Sequence, residues 1–274
     1  MARLITFDMD GTLLSPDHTI SEKNLAAIRK CSEHGKQVAL CTGRSVSELR
    51  EYFPVLLPYV RYAICVSGAL CWDLLKNRKI CSDSIGTETA LRAMEIAEPF
   101  SPMIHFLSDT SIMQKSHWEH LSDYHMEQYT EMYRREAEFV EDITALYRKN
   151  PWPLEKLNFY NRSEESRAAL EEEIRKAALP VEMRHAEITS LELSPKGVTK
   201  GTGLLSLCRF LSIHPSDVVS VGDAENDVDA FLVSGTGVAM GNAPESVKRQ
   251  AGFVTRDNAH DGCALAIEKF MLQS

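Results

Sequence analysis

Short apolar runs separated by amphipathic stretches set the rhythm of this chain, and several runs stop abruptly at polar, glycine-containing clusters. Leu4-Ile5-Thr6-Phe7 meets Asp8-Met9-Asp10-Gly11-Thr12, Gln37-Val38-Ala39-Leu40-Cys41 meets Thr42-Gly43-Arg44, and Asp217-Val218-Val219-Ser220-Val221 meets Gly222-Asp223-Ala224-Glu225-Asn226-Asp227. Apolar runs of this length bounded by turn residues read as buried strands. Tyr62 to Val66 reads as another, ending at Ser67-Gly68-Ala69. Between them, Ser21 caps a helical pattern with Leu25 and Ile28 on one face, and Gly35 closes it. A second helix is expected around Val46 to Phe53, interrupted by Pro54. Leu70-Cys71-Trp72 and Lys79-Ile80-Cys81 flank a polar turn near Asn77 and predict a hairpin.

The pattern changes near Asp83 to Gly86. From there to about residue 188, helical periodicity (Thr87 to Glu98, Trp118 to Tyr129, Glu164 to Ala178) alternates with strand-like segments. The strands are expected at Met103 to Leu107, Ser111 to Lys115, Lys156 to Tyr160 and Val181 to His185. This predicts an α+β insert with its own small sheet, after which the chain returns to the core at Ser190-Leu191-Glu192-Leu193. The aromatics Trp118, Tyr124, Tyr129, Tyr133 and Trp152 fall in this insert, most of them as its core.

A chain of 274 residues exceeds the usual single-domain size. Its net charge of −9 argues against a general nucleic-acid surface or a polybasic membrane patch. No apolar stretch approaches the roughly 20 residues that span a bilayer. Met1-Ala2-Arg3 leads straight into the first strand, so a soluble, cytoplasmic protein is expected. Seven cysteines without a C-x-x-C pair, several inside apolar runs, read as buried reduced thiols. Nothing in the pattern fixes an oligomeric state.

Polar chemistry at the C-terminal ends of three strands is where open parallel α/β sheets hold ligands. Asp8 and Asp10, one residue apart at the end of a strand, are expected on the same side. The pair admits two readings, a cation or shared-proton site and an ordinary strand-to-turn junction. Lys200 opens a helical pattern after Ser194-Pro195-Lys196-Gly197-Val198-Thr199, and a cation in the first turn opposes the helix dipole. That position makes sense if Lys200 faces an anion.

In order and spacing, Asp8-Met9-Asp10-Gly11-Thr12, Thr42-Gly43-Arg44, Lys200 and Gly222-Asp223-Ala224-Glu225-Asn226-Asp227 resemble the four signature motifs of the haloacid dehalogenase superfamily. Gly237-Val238-Ala239-Met240-Gly241-Asn242-Ala243 and Asp261-Gly262 resemble its Cof-type branch of sugar-phosphate phosphatases. The resemblance implies an α/β fold, a Rossmann-like parallel-sheet core with an inserted α/β (α+β) cap domain. The core would comprise residues 1–83 and 189–274, and the cap residues 84–188. It implies an Mg2+-dependent phosphatase of small phosphorylated metabolites, without nucleic-acid or membrane partners. Asp8 would be the nucleophile, giving an aspartyl phosphate, and Asp10 the general acid and base. Asp8, Asp223 and the backbone carbonyl of Asp10 would hold the metal, with Asp227 behind them. Lys200 and Thr42 would offset and bind phosphate, with Gly43, Arg44, Asn226 and Asn242 on the phosphate or substrate side. Cys41, beside Thr42, invites a reading as a reactive thiol, but the resembled motif gives the covalent step to an aspartate.

Each residue has a plainer reading: Thr42-Gly43 as a strand-end turn, Lys200 as an exposed helix lysine, Gly222-Asp223 as a turn before a capped helix. Their joint appearance favours function. His117, His120 and His125 lack a matching acid pattern and read as a polar face. Gly235-Thr236-Gly237 lacks the later glycine of a dinucleotide fingerprint and reads as a turn into a strand. Ser67 stands where the branch commonly carries asparagine, which bears on substrate contacts. Two alternatives remain, a phosphomutase of the same superfamily and a non-catalytic phosphometabolite-binding regulator.

Overall fold

The computed structural model describes residues 2–185 and 187–273. Its strands are β1 (Leu4–Phe7), β2 (Gln37–Cys41), β3 (Tyr62–Cys65), β4 (Leu70–Asp73), β5 (Arg78–Ser82), β6 (Met103–Leu107), β7 (Ser111–Gln114), β8 (Ala137–Val140), β9 (Lys156–Tyr160), β10 (Val181–Arg184), β11 (Ser190–Pro195), β12 (Val218–Gly222), β13 (Thr236–Ala239) and β14 (Phe253–Val254). By contacts the chain divides into two units. One holds Met1–Gly43, Glu51–Ser82 and Val198–Ser274, and the other Arg44–Arg50 with Asp83–Gly197.

The first unit is built on an eight-stranded sheet in the order β14-β13-β12-β1-β2-β3-β4-β5. The first six strands run parallel and the β4–β5 hairpin closes one edge antiparallel. Strands buried on both faces need continuous apolar runs, and β1, β3 and β12 are buried at every position. The strand sequence turns back on itself between β1 and β12, leaving a crevice at their C-terminal ends. The helix Lys200–Leu211 packs Leu204, Leu207 and Cys208 onto Leu4, Cys41, Ile64 and Cys71. Each such leucine contributes about 1.5–3 kcal/mol of burial before the cost of ordering. The helix Glu22–Glu33 starts where expected, with the Ser21 side chain accepting from the Asn24 N–H, and Gly35 follows it at φ +71°.

The second unit carries a six-stranded sheet, β10-β11-β9-β6-β7-β8, antiparallel except for the β7–β8 pair. On one face Phe106, Leu157, Phe159, Leu191 and Leu193 pack with Tyr147, Leu170 and Ile174. On the other, Met103, Met113 and Tyr160 meet Leu121, Tyr124, Met126 and Tyr133, with Trp118 and Tyr129 against them. Trp152 packs on the first face, so the aromatics expected to form the insert's core do so.

Several expectations need correction. Ser190–Leu193 does not return to the first sheet. It lies within β11, which pairs antiparallel with both β9 and β10, so the second unit extends to Gly197 rather than residue 188. Arg44–Arg50 also clusters there, with the Ser47 N–H donating to the Asp109 carbonyl at 3.0 Å. The helix expected over Trp118 to Tyr129 is a series of short turns, Lys115–Trp118, Leu121–Tyr124 and Glu127–Tyr129, followed by the helix Thr130–Glu136. His125 breaks it at φ +58°. The apolar positions Leu121, Tyr124, Met126 and Tyr133 reach the sheet from separate turns, not from one stripe. Pro54 does not interrupt a helix either: Ser47–Tyr52 is 3-10, and Pro54 stands in the first turn of the helix Phe53–Leu56, where its missing N–H costs nothing. Strand β8 and the helix Ile143–Lys149, capped by Asp142, were not expected.

Candidate active site

Strand β1 ends at Phe7, and the Asp8 N–H still donates to the Val221 carbonyl of β12 at 3.0 Å. The chain then turns in a tight loop in which Leu13 N–H reaches the Asp8 carbonyl and Leu14 N–H the Met9 carbonyl. Asp8 is thereby fixed at the end of the central strand, 6 % exposed. Asp10 lies in this turn rather than in the strand (φ −74°, ψ 125°) and is exposed, yet its carboxylate is near enough to act on both Asp8 and Asp223. Gly11 follows at φ +73°, and a Cβ there would fall 2.3 Å from Asp223 Oδ2. Glycine is therefore required for the loop to approach the Asp223 carboxylate.

Lys200 is the first residue of its helix, behind the N-cap Thr199, whose side chain accepts from the Thr202 N–H. Its ammonium is 1 % exposed and lies 2.8 Å from Asp8 Oδ1 and 2.7 Å from Asp227 Oδ1. The cation thus faces two carboxyl groups, in keeping with its otherwise unfavourable place in the first turn. The other Asp227 oxygen accepts from the backbone N–H groups of Asp223 and Ala224, both at 3.0 Å. Asp227 is committed to holding Lys200 and the Asp223 loop. The Thr12 hydroxyl donates to Asp223 Oδ1 at 2.7 Å, orienting that carboxylate.

Burial is the largest influence on the acids. It pushes Asp8 up to about 8 against the pull of Lys200, with Asp227 and Asp10 adding to the rise. It likewise pushes Asp223 up to about 6, against the Thr12 hydrogen bond. An unfolded aspartate titrates near 3.8, so between that value and about 8 the folded chain holds a proton that the unfolded chain has released. The folded state's advantage is full below pH 4 and is lost as pH rises through the folded pKa values. In chelator, the melting temperature of the wild type is therefore expected to fall between pH 5 and pH 8 by more than that of Asp8→Asn. Parallel melting profiles for the two proteins would contradict this reading of Asp8.

The ligand atoms of Asp8, Asp223 and Asp227 lie within 4.8 Å of one another, and among the described residues no other acid, cysteine or histidine group is so arranged. His117, His120 and His125 are not part of this group. His120 Nδ1 meets the Ser116 carbonyl and His125 Nε2 the Arg162 carbonyl. One turn holds a further hard donor, since Asn226 Oδ1 is buried with no hydrogen-bond partner. Crowded carboxylates, with an unsatisfied amide oxygen on the residue that precedes Asp227, fit a small oxygen-seeking dication such as Mg2+.

Thr42 is buried, its N–H donating to Ile64 O at 2.8 Å and its carbonyl accepting from Ser67 N–H at 3.0 Å. Ser67 sits at φ +56° and Gly68 at φ +105°, where a Cβ would collide with the Thr199 carbonyl at 1.9 Å. The turn thus braces the N-terminus of the helix that carries Lys200. Asparagine tolerates the left-handed region better than serine, which gives the residue common in the resembled branch a backbone reason as well as a side-chain one. Arg44, by contrast, groups with the second unit, and its guanidinium donates to the Glu48 carbonyl at 3.3 Å. Asn242 donates to the Gly11 carbonyl at 2.8 Å and accepts from Asn258 N–H at 3.1 Å. Asn258 in turn donates to the Leu14 carbonyl at 2.8 Å. These two asparagines tie down the loop after Asp8; Asn258 escaped the sequence reading because nothing local distinguishes it, whereas Thr12 stood inside the quoted motif. Burial pushes the Cys41 thiol up to about 12, so it is no thiolate at neutral pH.

A family model described as haloacid dehalogenase-like hydrolase matches residues 5–267. The chain is 28% identical over 274 residues to a 5-amino-6-(5-phospho-D-ribitylamino)uracil phosphatase of Bacillus subtilis, covering 98% of this chain and 96% of that one. It is 25% identical over 282 residues to a pyridoxal phosphate phosphatase of Escherichia coli, covering 98% and 99%. Among solved structures, a protein from Thermotoga maritima matches with a TM-score of 0.84 at 27% identity, covering 98% and 97% of the two chains.

Proposed function

The chain belongs to the haloacid dehalogenase-like hydrolases, and from that premise we propose that it is a magnesium-dependent phosphatase of small phosphorylated metabolites, sugar phosphates among them, acting through an aspartyl phosphate on Asp8. The observation that carries this reading is the buried Lys200 ammonium on Asp8 Oδ1, with the Asp223 carboxylate beside it. A carboxylate held at one oxygen by a fixed cation is oriented with its other oxygen free to attack, and phosphoryl transfer asks mainly for such positioning and charge neutralisation. The names of the two bacterial relatives point the same way, each naming a small molecule that carries a phosphate.

In the proposed sequence an Asp8 oxygen forms a bond to phosphorus as the bond to the leaving oxygen breaks. The Asp10 carboxyl gives its proton to that oxygen, and its exposed place in the loop suits exchange with substrate and water. Asp10 then takes a proton from the water that attacks phosphorus, releasing phosphate and restoring Asp8. Lys200 and Thr42 neutralise and bind the phosphoryl oxygens, while Thr12, Asp227, Asn242 and Asn258 hold the acids and their loop in place. Asp8, Asp223 and the Asp10 carbonyl are the residues assigned to Mg2+, with Asn226 available as a further oxygen. When bound, Mg2+ supplies positive charge that draws phosphate and carboxylates together. Discrimination among leaving groups is assigned to the second unit.

A panel of phosphorylated metabolites read by free phosphate tests the proposal. Release is expected with Mg2+, is lost in chelator and returns when Mg2+ is restored. Full activity in chelator would remove the metal from the account, and isomerised sugar phosphate without free phosphate would identify a mutase.

A further inference from the structure

Among seven cysteines the two on the β4–β5 hairpin stand apart. Cys71 and Cys81 are directly opposite each other in the antiparallel register. Directly opposed residues of an antiparallel pair have Cα atoms about 4.5–5.5 Å apart, inside the roughly 4.4–6.8 Å range of disulfide-bonded cysteines. Their thiols interact, and both side chains join the cluster beneath the helix Lys200–Leu211. We propose that Cys71 and Cys81 form an oxidisable dithiol, a modification site at the sheet edge that closes to a disulfide on exposure to a hydroperoxide.

The same register excludes the two thiols of the neighbouring strands. Cys41 pairs with Ile64, and Ile64 with Cys71, so Cys41 lies two strands from Cys71, about 9.6 Å at the usual strand spacing. That exceeds the reach of a disulfide. Cys65 is adjacent to Ile64 in β3 and so points to the opposite face. Access also separates the pair's roles. β5 is the edge strand and Cys81 is partly exposed, whereas Cys71 is buried with its thiol donating to the Gly203 carbonyl at 3.4 Å. The neighbouring Cys81 and burial both hold Cys71 in the protonated form.

Cys81 therefore meets the oxidant. Its sulfur attacks the peroxide O–O bond, takes one oxygen as a sulfenic acid and releases an alcohol, or water from hydrogen peroxide. The Cys71 sulfur then bonds to the Cys81 sulfur, the sulfenic hydroxyl leaves, and the Cys71 proton completes a water molecule. Two thiols and one hydroperoxide give one disulfide, one alcohol and one water, the two electrons passing from the sulfurs to the peroxide. Closure also removes the thiol that bonds Gly203, three residues along the helix from Lys200.

The test treats the native full-length chain with hydrogen peroxide, alkylates free thiols and maps tryptic peptides, which Lys76, Arg78 and Lys79 separate between the two cysteines. The expected result is one cross-linked pair joining the Cys71 and Cys81 peptides, two hydrogens lighter, restored by dithiothreitol and absent in Cys81→Ser. Pairing of either residue with another cysteine, or oxidation of Cys81 to a sulfinic acid with Cys71 still alkylatable after unfolding, would overturn the assignment.

Discussion

Asp8→Asn is expected to lower phosphate release by on the order of 10^4-fold or more, the scale seen when a nucleophile is removed from a group of residues that act together. The amide keeps the volume of the carboxylate but cannot attack phosphorus, and it cannot ionise beside Asp223 and Asp227 to hold a cation. The fold is expected to survive, because Lys200 retains Asp227 at 2.7 Å and the buried group that resists ionisation is gone. Phosphate assays beside thermal melts separate the two effects. Turnover within tenfold of wild type would remove Asp8 from the chemistry, whereas an unfolded variant would contradict the stability argument.

The largest expected stability effect belongs to Lys200→Met. Methionine fills much of the lysine's space but leaves Asp8 and Asp227 buried without their shared cation. Breaking a buried ion pair from one side costs about 3–5 kcal/mol. Part of this is relieved at low pH, because Asp8 already favours its protonated form, so the loss grows between pH 5 and pH 8. Adding Asp227→Asn removes one stranded charge. The double variant is therefore expected to recover stability relative to Lys200→Met while remaining inactive, and the four proteins form a cycle that isolates the pairwise contribution. Additive losses in denaturant melts would show that Lys200 and Asp227 do not depend on each other.

The elements legible in the sequence were those whose signal is local. β1, β2 and β12 end in polar clusters because the C-terminal ends of buried parallel strands are where the sheet stops excluding water, and a run such as Leu4–Phe7 must stop there. Lys200 was legible through a local conflict, a cation at the wrong end of a helix, which the structure resolves with two carboxylates. What remained hidden depends on partners distant in sequence. Ser190–Leu193 is apolar enough for either sheet, and only its pairing with Lys156–Tyr160 and Val181–Arg184 decides. Arg44–Arg50 follows a core motif directly, yet Ser47 finds its backbone partner at Asp109. Asp10 shows the limit of periodicity at a strand end, where a turn takes the place of the extended strand that alternation assumes, while its carboxylate still acts on Asp8 and Asp223. Asn242 shows a contact no local pattern announces, its amide donating to the Gly11 carbonyl and, at 3.5 Å, to the Asp223 carboxylate.

The central claim is that a covalent phosphate passes through Asp8. Acid quenching during steady-state turnover of an accepted substrate, followed by mass spectrometry of the peptides, reads it directly. The account predicts a phosphoryl group on the peptide containing Asp8, localised to that carboxylate, released by hydroxylamine and absent from Asp8→Asn. A phosphoryl group trapped on another residue, Cys41 for example, would contradict it.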